Sequence, residues 1–204
     1  MHTMRILLTG VGGQGTLTAT TLLAKAALLR GLDVTSGEVH GMAQRGGVVE
    51  STILLGGLKS PRVGPGEADV LLGFEPLETY RALPMLRPGG MVVSSTDFID
   101  PMGVCLGKEA RPDLATIQAA ARACAGGCLF LSCRTLGEQA GAVQSGNLAL
   151  LGAALAMQFF PFGPDALEDA VRATLKPAIA SLNLNAIALG VEAAASQTSA
   201  SPAF

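Results

Sequence analysis

The chain reads as an α/β protein: a Rossmann-like open, mostly parallel sheet with helices on both faces and a helical C-terminal part. Three observations predict this. Residues 4–9 read as an apolar strand covered on both faces. That run passes into a glycine turn, Gly10-Val11-Gly12-Gly13-Gln14-Gly15, in which Gly10, Gly12 and Gly15 have the G-x-G-x-x-G spacing. Strand-like and helix-like segments then alternate, with turn signals between them, as parallel crossovers require.

A helix follows the turn and runs to Gly31, with Leu17, Thr21, Ala24 and Leu28 at spacings of three and four as its stripe. Gly31 suits the left-handed residue that ends such a helix. Residues 33–38 form the second strand, reached by a right-handed crossover and so placed beside the first. A loop, 39–47, separates it from a β-branched strand, 48–55, which Gly56-Gly57 stops. Residues 58–67 are a loop or a hairpin return and 68–74 a buried strand. Glu75-Pro76 opens a helix to Arg87, with Pro76 in the first turn, where its missing N–H costs nothing. Pro88-Gly89-Gly90 signals a turn before a strand at 91–95. Residues 96–112 are irregular, 113–125 an Ala-rich helix, 128–132 a short strand and 134–140 a turn of helix. Ser145 caps an apolar helix, 146–160, ended by Pro161 and Pro164. Helices at 165–175 and 178–194 complete a single domain, 1–194, and 195–204 is a flexible tail.

Composition narrows the function classes. Of 204 residues 49% are hydrophobic and only 15% charged, and the formal net charge is −2. A chain this long buries roughly 70% of its unfolded surface in one core. The charge gives no reason to expect nucleic acid or an anionic membrane as partner. The longest apolar stretch, 148–160, falls short of the ~18 residues of a membrane span, and no signal peptide is visible. The reading is a soluble, cytoplasmic protein. Its apolar, charge-poor surface implies that another chain covers part of it, with self-association when isolated.

The glycine turn and the helix N-terminus behind it make a cradle for an anion. A dinucleotide would also need an acid about 20 positions on, after the second strand; Glu38 is nearest and comes late. Nucleotide binding and plain chain reversal both remain open on these residues. Cys124, Cys128 and Cys133, with Cys105 further back, lack the C-x2-C pairs of a zinc or iron–sulfur site and read as small hydrophobes. His40 lies at the carboxyl end of a strand, where ligands bind in open α/β sheets, and Arg45 stands between Gln44 and two glycines. Each fits an ordinary loop residue or a donor to a carboxylate or phosphate. No G-x-S-x-G elbow, phosphate loop or H-E-x-x-H helix is present. Glu38, Glu67 and Glu75 fall near strand ends without an assignable acid–base partner.

The turn Gly10–Gly15, followed by Glu38-Val39-His40-Gly41-Met42-Ala43-Gln44-Arg45-Gly46-Gly47, resembles the γ-type subunits of 2-oxoacid:ferredoxin oxidoreductases. The likeness is greatest to the β subunits of the indolepyruvate enzymes. Gly66-Glu67-Ala68-Asp69-Val70-Leu71, Phe74-Glu75-Pro76-Leu77-Glu78, Pro88-Gly89-Gly90 and Asn183-Leu184-Asn185-Ala186 with Gly190 agree in order. The resemblance implies a subunit, inactive alone, of a complex that decarboxylates a 2-oxoacid oxidatively with coenzyme A to an acyl-CoA. Thiamine diphosphate, magnesium and iron–sulfur clusters are then expected on a thiamine- and ferredoxin-type catalytic partner, with ferredoxin reached through the complex and no cofactor or metal in this chain. Gly10, Gly12, Gly13, Gln14 and Gly15 are the candidate contact for an anion or CoA. His40, Gly41, Met42, Gln44, Arg45, Gly46 and Gly47, with Glu75, are the candidate partner or active-site loop; no catalytic residue is assigned. The alternatives are a stand-alone NAD- or flavin-dependent oxidoreductase and a scaffold that binds no small molecule.

Overall fold

β1 (Met4–Val11) lies inside a six-stranded sheet and is buried on both faces from Ile6 onward. The computed structural model describes residues 3–40, 47–100, 104, 106 and 110–200, with the backbone alone for His40 and 198–200. Arg5, inside the run read as apolar, stands at the entry of β1. Its backbone N–H donates to Asp69 at 2.7 Å, and its guanidinium faces Glu67 at 3.9 Å.

The other strands are β2 (Val34–His40), β3 (Val48–Leu55), β4 (Ala68–Gly73), β5 (Leu86–Ser95) and β6 (Gly127–Leu131). Their order is β2-β3-β1-β4-β5-β6. β1, β4, β5 and β6 are parallel, and β3 runs antiparallel to both β1 and β2. The helices are α1 (Thr16–Leu29), α2 (Pro76–Ala82), α3 (Leu114–Cys124), α4 (Cys133–Ala140), α5 (Gly146–Ala156), α6 (Pro164–Thr174) and α7 (Pro177–Ala200).

Side chains alternate across the pleat and feed two cores. Ile6, Leu8, Val70 and Leu72 face one way, into a core shared with α1, α5, α6 and α7. Leu7 and Leu71 face the other way, toward Ala82 of α2, Ala121 of α3 and Val63 of the β3–β4 loop. At the α5–α7 crossing the helices touch backbone to backbone: a Cβ on Gly190 would overlap the Ala149 carbonyl, and one on Gly152 would lie 2.5 Å from that of Ile187.

Several expectations are corrected. β2 is not the neighbour of β1, because β3 lies between them. Residues 41–47 are too few for a parallel crossover, which takes about a dozen, so β2 and β3 form an antiparallel hairpin. On α1 the buried apolar residues are Ala19, Leu22, Leu23, Ala26 and Ala27, whereas Leu17 and Leu28 are 47% and 54% exposed. α1 is apolar nearly all round, so Lys25 decides the matter: it shares a face with Thr21 and Leu28, and that face turns to water.

Pro88-Gly89-Gly90 is not a turn but the first part of β5, with a register irregularity opposite β4 between Ala68 and Val70. Gly89 takes φ +73°, and a Cβ on Gly90 would lie 2.9 Å from the Asp69 carbonyl. α2 stops at Ala82, and residues up to Met85 continue as a short 3-10 turn. α5 stops at Ala156, ahead of Gln158 at φ +56°. α7 runs to Ala200, into the segment read as a tail, and Gln197 Nε2 donates to the Phe130 carbonyl of β6 at 2.8 Å. The span Pro177–Gln197 has the length and mean hydropathy, 1.4, of a membrane-crossing helix, yet one side of it packs on α5 within the core.

Candidate functional site

The chain leaves β1 through α1 toward the β2–β3 edge and leaves β4 through α2 toward β5 and β6, so the sheet reverses its winding between β1 and β4. In open α/β sheets the crevice at such a point, outside the carboxyl ends of the strands, is where ligands bind. The glycine turn sits there. Gln14 folds back over it: Oε1 accepts the Val11 N–H at 2.7 Å, and Nε2 donates to the Phe74 carbonyl at 2.9 Å. One side chain thus ties the end of β1 to the end of β4. Gly10 is needed for this closeness, since a Cβ there would lie 2.9 Å from Gln14 Oε1 and 3.1 Å from Phe74 Cβ.

Gly15, at φ +76°, precedes α1 in the left-handed conformation, and a Cβ on it would meet Asn147 Nδ2 at 2.7 Å. Asn147, in the first turn of α5, donates that Nδ2 to the Gly15 carbonyl at 3.1 Å. Its Oδ1 is buried without a partner, as is Thr16 Oγ1 at the start of α1. Sequence reading missed Asn147 and assigned Ser145 as a side-chain cap. Ser145 instead ends a 3-10 turn in helical conformation and makes no side-chain cap bond.

Above this floor opens a cavity of about 600 Å³. Gly13, Gln14 and Gly15 border one side; Asp97, Phe98 and Ile99 after β5 border another; Arg134 at α4, Asn147 at α5 and Ile179 and Asn183 of α7 complete it. Most of the wall is aliphatic or aromatic, with polar groups at three helix starts, which suits a ligand with an apolar body and an anionic end. Asp97 already accepts from Ser95 Oγ (3.1 Å), Ser132 Oγ (2.9 Å) and the Arg134 N–H (2.7 Å), so it organises the α4 start. Cys133 also faces the cavity; burial pushes its thiol up to about 12, and burial pushes Cys128 up to about 11. Neither is a thiolate at neutral pH. Among the described residues no three His, Cys, Asp or Glu side chains are grouped to hold a metal.

The β2–β3 loop adjoins the turn through the backbone: Gly12 N–H donates to the Gly47 carbonyl at 2.9 Å. Gly41, Met42, Gln44, Arg45 and Gly46 lie outside the described residues, as does Cys105, and of His40 only the backbone is described. Glu38 is on β2, two strands from β1, roughly 9–10 Å sideways at ordinary strand spacing. It is not where a ribose held over the glycine turn would need an acid.

Glu75 is brought to the site's underside and not into the cavity. It is 1% exposed and caps α2, accepting the Glu78 N–H at 2.8 Å, and its other oxygen reaches the Ile99 N–H at 3.4 Å. The second contact braces the cavity wall at 97–99. Burial raises the Glu75 pKa above the usual 4.5, against the pull of these backbone donors. Burial also raises Glu78, against the attraction of Arg81, 2.7 Å away. A carboxyl raised on folding binds more protons folded than unfolded, so its contribution to stability is complete below the unfolded pKa and lost as pH climbs through the folded one. Each unit of such a rise is worth about 1.4 kcal/mol. Glu75→Gln keeps an acceptor for the cap and removes this titration. Urea unfolding at a series of pH values should show the variant gaining on the parent protein as pH rises from 4.5 toward neutrality. A difference that does not change with pH would contradict a raised Glu75.

Residues 5–193 match the family described as pyruvate ferredoxin/flavodoxin oxidoreductase. The indolepyruvate oxidoreductase subunit IorB of Archaeoglobus fulgidus is 36% identical over 193 residues, covering 95% of this chain and 96% of that protein. The subunit of the same name from Pyrococcus horikoshii is 37% identical over 196 residues, covering 95% and 97%. Among solved structures, the γ subunit of a keto/oxoacid ferredoxin oxidoreductase from Geobacter sulfurreducens superposes with a TM-score of 0.70 at 22% identity, over 95% of this chain and 99% of that one, which shows a shared fold. The chain belongs to the pyruvate ferredoxin/flavodoxin oxidoreductase family.

Proposed function

We propose that this chain is the small, auxiliary subunit of a cytoplasmic 2-oxoacid:ferredoxin oxidoreductase whose 2-oxoacid is indolepyruvate. The reaction is oxidative decarboxylation with coenzyme A, giving an acyl-CoA and CO2 and passing two electrons to ferredoxin. The observation that supports the substrate is the match, near full-length for both chains at 36–37% identity, to subunits named for indolepyruvate. The division of labour is supported by the donor set. The cavity offers a protonated thiol and an Asp97 occupied by three hydrogen bonds, a poor set for thiamine's magnesium or for an iron–sulfur cluster. Those groups belong to the catalytic partner, and the isolated chain turns nothing over. A stand-alone nicotinamide or flavin enzyme is not favoured, because Glu38, the acid that the sequence spacing offers for a ribose, is displaced from the turn by β3.

Within the complex, the loop carrying His40, Gly41, Met42, Gln44, Arg45, Gly46 and Gly47 faces the catalytic partner and helps close its active site on anionic substrates. The support is the anchorage of its last residue: the Gly47 carbonyl is bonded to the glycine turn at the carboxyl end of β1. Arg45 supplies a permanent positive charge. The assay is indolepyruvate- and CoA-dependent reduction of ferredoxin by the chain reconstituted with its catalytic subunit. Activity should require both chains, and Arg45→Ala should lower kcat/KM about tenfold or more with assembly intact. Full activity from the catalytic subunit alone would sink the auxiliary role; unchanged kcat/KM in the variant would remove the loop from the active site.

The glycine turn Gly10–Gly15 and the cavity beside it contact CoA or its anionic part. The apolar wall and the helix starts support this. CoA at about 100 times its Kd should stabilise the folded chain by about 2.7 kcal/mol, visible as a rise in Tm, while NAD and FAD leave it unmoved. A rise with NAD or FAD and none with CoA would reverse the assignment.

A further inference from the structure

Among the described residues, buried side-chain oxygens without a hydrogen-bond partner are of two kinds. Thr9 Oγ1, Thr16 Oγ1, Ser51 Oγ and Asn147 Oδ1 are sealed inside the protein. Asn183 Oδ1 and Ser145 Oγ also lack a partner, yet neither is sealed, and both residues line the switch-point cavity. Asn183 is 7% exposed and Ser145 4%, so the little surface each keeps is cavity surface.

The chemistry each offers is set by the bonds it already makes. Asn183 Nδ2 donates to the Ile179 carbonyl, one turn back on α7, at 2.8 Å. That bond fixes the amide and leaves Oδ1, which can only accept. Ser145 ends the 3-10 turn ahead of α5; its backbone N–H donates to the Ala142 carbonyl, and its hydroxyl caps nothing. The two segments touch, since a Cβ on Gly141, just before that turn, would lie 3.0 Å from Leu182 Cδ2 of α7. One wall thus presents an acceptor and a donor set among the aliphatic side chains of Val143, Ile179 and Leu182. A few placed polar groups in an apolar wall are how a pocket selects its ligand.

The complement of such a pair is a secondary amide, with one N–H and one carbonyl. CoA carries two of these in its pantetheine arm, between aliphatic carbons, and the arm is joined to a diphosphate that suits the start of α1. An indole ring has the N–H but no acceptor for the Ser145 hydroxyl. We propose that Asn183 and Ser145 hold the pantetheine arm of CoA, Asn183 Oδ1 accepting an amide N–H and Ser145 Oγ donating to an amide carbonyl. This rests on the assignment of CoA to the cavity and deepens it. NAD and FAD bring phosphates to the glycine turn but no such arm, so these two residues separate CoA from them. The thiol at the end of the arm leaves for the catalytic partner through a mouth bordered by the exposed side chains of Ile99, Val143 and Ile179.

The test is titration calorimetry of the full chain with CoA and with its two halves, phosphopantetheine and adenosine bisphosphate. Ser145→Ala removes a hydroxyl that bonds to nothing in the free chain, and Asn183→Ala removes the acceptor; the thermal midpoint without ligand checks that each variant is folded. The parent should bind CoA and phosphopantetheine. Each variant should weaken both about fivefold and leave adenosine bisphosphate unchanged. Should Asn183→Ala lower the midpoint, Ser145→Ala decides alone. CoA binding unchanged by Ser145→Ala, an equal loss with adenosine bisphosphate, or a parent that binds CoA but not phosphopantetheine would each overturn the placing of the arm. A parent that binds no CoA would instead bring down the CoA assignment itself.

Discussion

Across the gap between β1 and β4, where the winding of the sheet reverses, Gln14 makes both of its amide bonds to backbone: Val11 on one strand and Phe74 after the other. Everything that defines the cavity is referred to this clamp. It fixes the glycine turn against the sheet, presents Gly13 and Gly15 to the opening, and leaves Gly12 to bond the returning hairpin at Gly47. A buried backbone donor or acceptor left without a partner costs about 1–3 kcal/mol, so a side chain that satisfies one of each is a strong local constraint. In a nucleotide-binding Rossmann unit the turn is kept open for phosphates. Here a side chain of the turn itself fills part of that role.

The second constraint is the cost of what lies beneath. Glu75 and Glu78 are almost fully buried, and their raised pKa values record that burial outweighs the donors around them. The return is positional. Glu75 starts α2, braces the wall at Ile99, and leaves its backbone carbonyl to Thr79, whose hydroxyl in turn meets Ser94 of β5 at 2.8 Å. One acidic residue thereby coordinates the ends of β4 and β5. The surrounding chain has few charges to offer, and its exposed Leu17, Leu28 and Val39 fit a protein that functions within an assembly.

What was legible in the sequence was local. β1, the glycine turn, the Glu75-Pro76 start of α2 and the Ala-rich α3 follow from apolar pattern, turn chemistry and composition, and the family follows from the glycine turn with the Glu38–Gly47 motif. What escaped reading depended on partners distant in the chain. Strand order turned on the shortness of the 41–47 link, which was in view but gave way to the expectation of a crossover. The buried face of α1 could not be chosen from Ala and Leu alone. Pro88-Gly89-Gly90 carries turn residues because strands approach closely there, as at Gly126, whose Cβ would lie 2.6 Å from the Gly89 carbonyl. Asn147 has no local signature, since its role depends on Gly15, 132 positions earlier.

Amide hydrogen exchange at Val11 tests the Gln14 clamp most directly. In Gln14→Ala the Val11 N–H loses its acceptor, and protection at Val11 and across the glycine turn should fall on the order of tenfold, while the interior of α5 keeps its own. Unchanged protection at Val11 would mean that the turn is held by other contacts, and the account of the site built on Gln14 would fail.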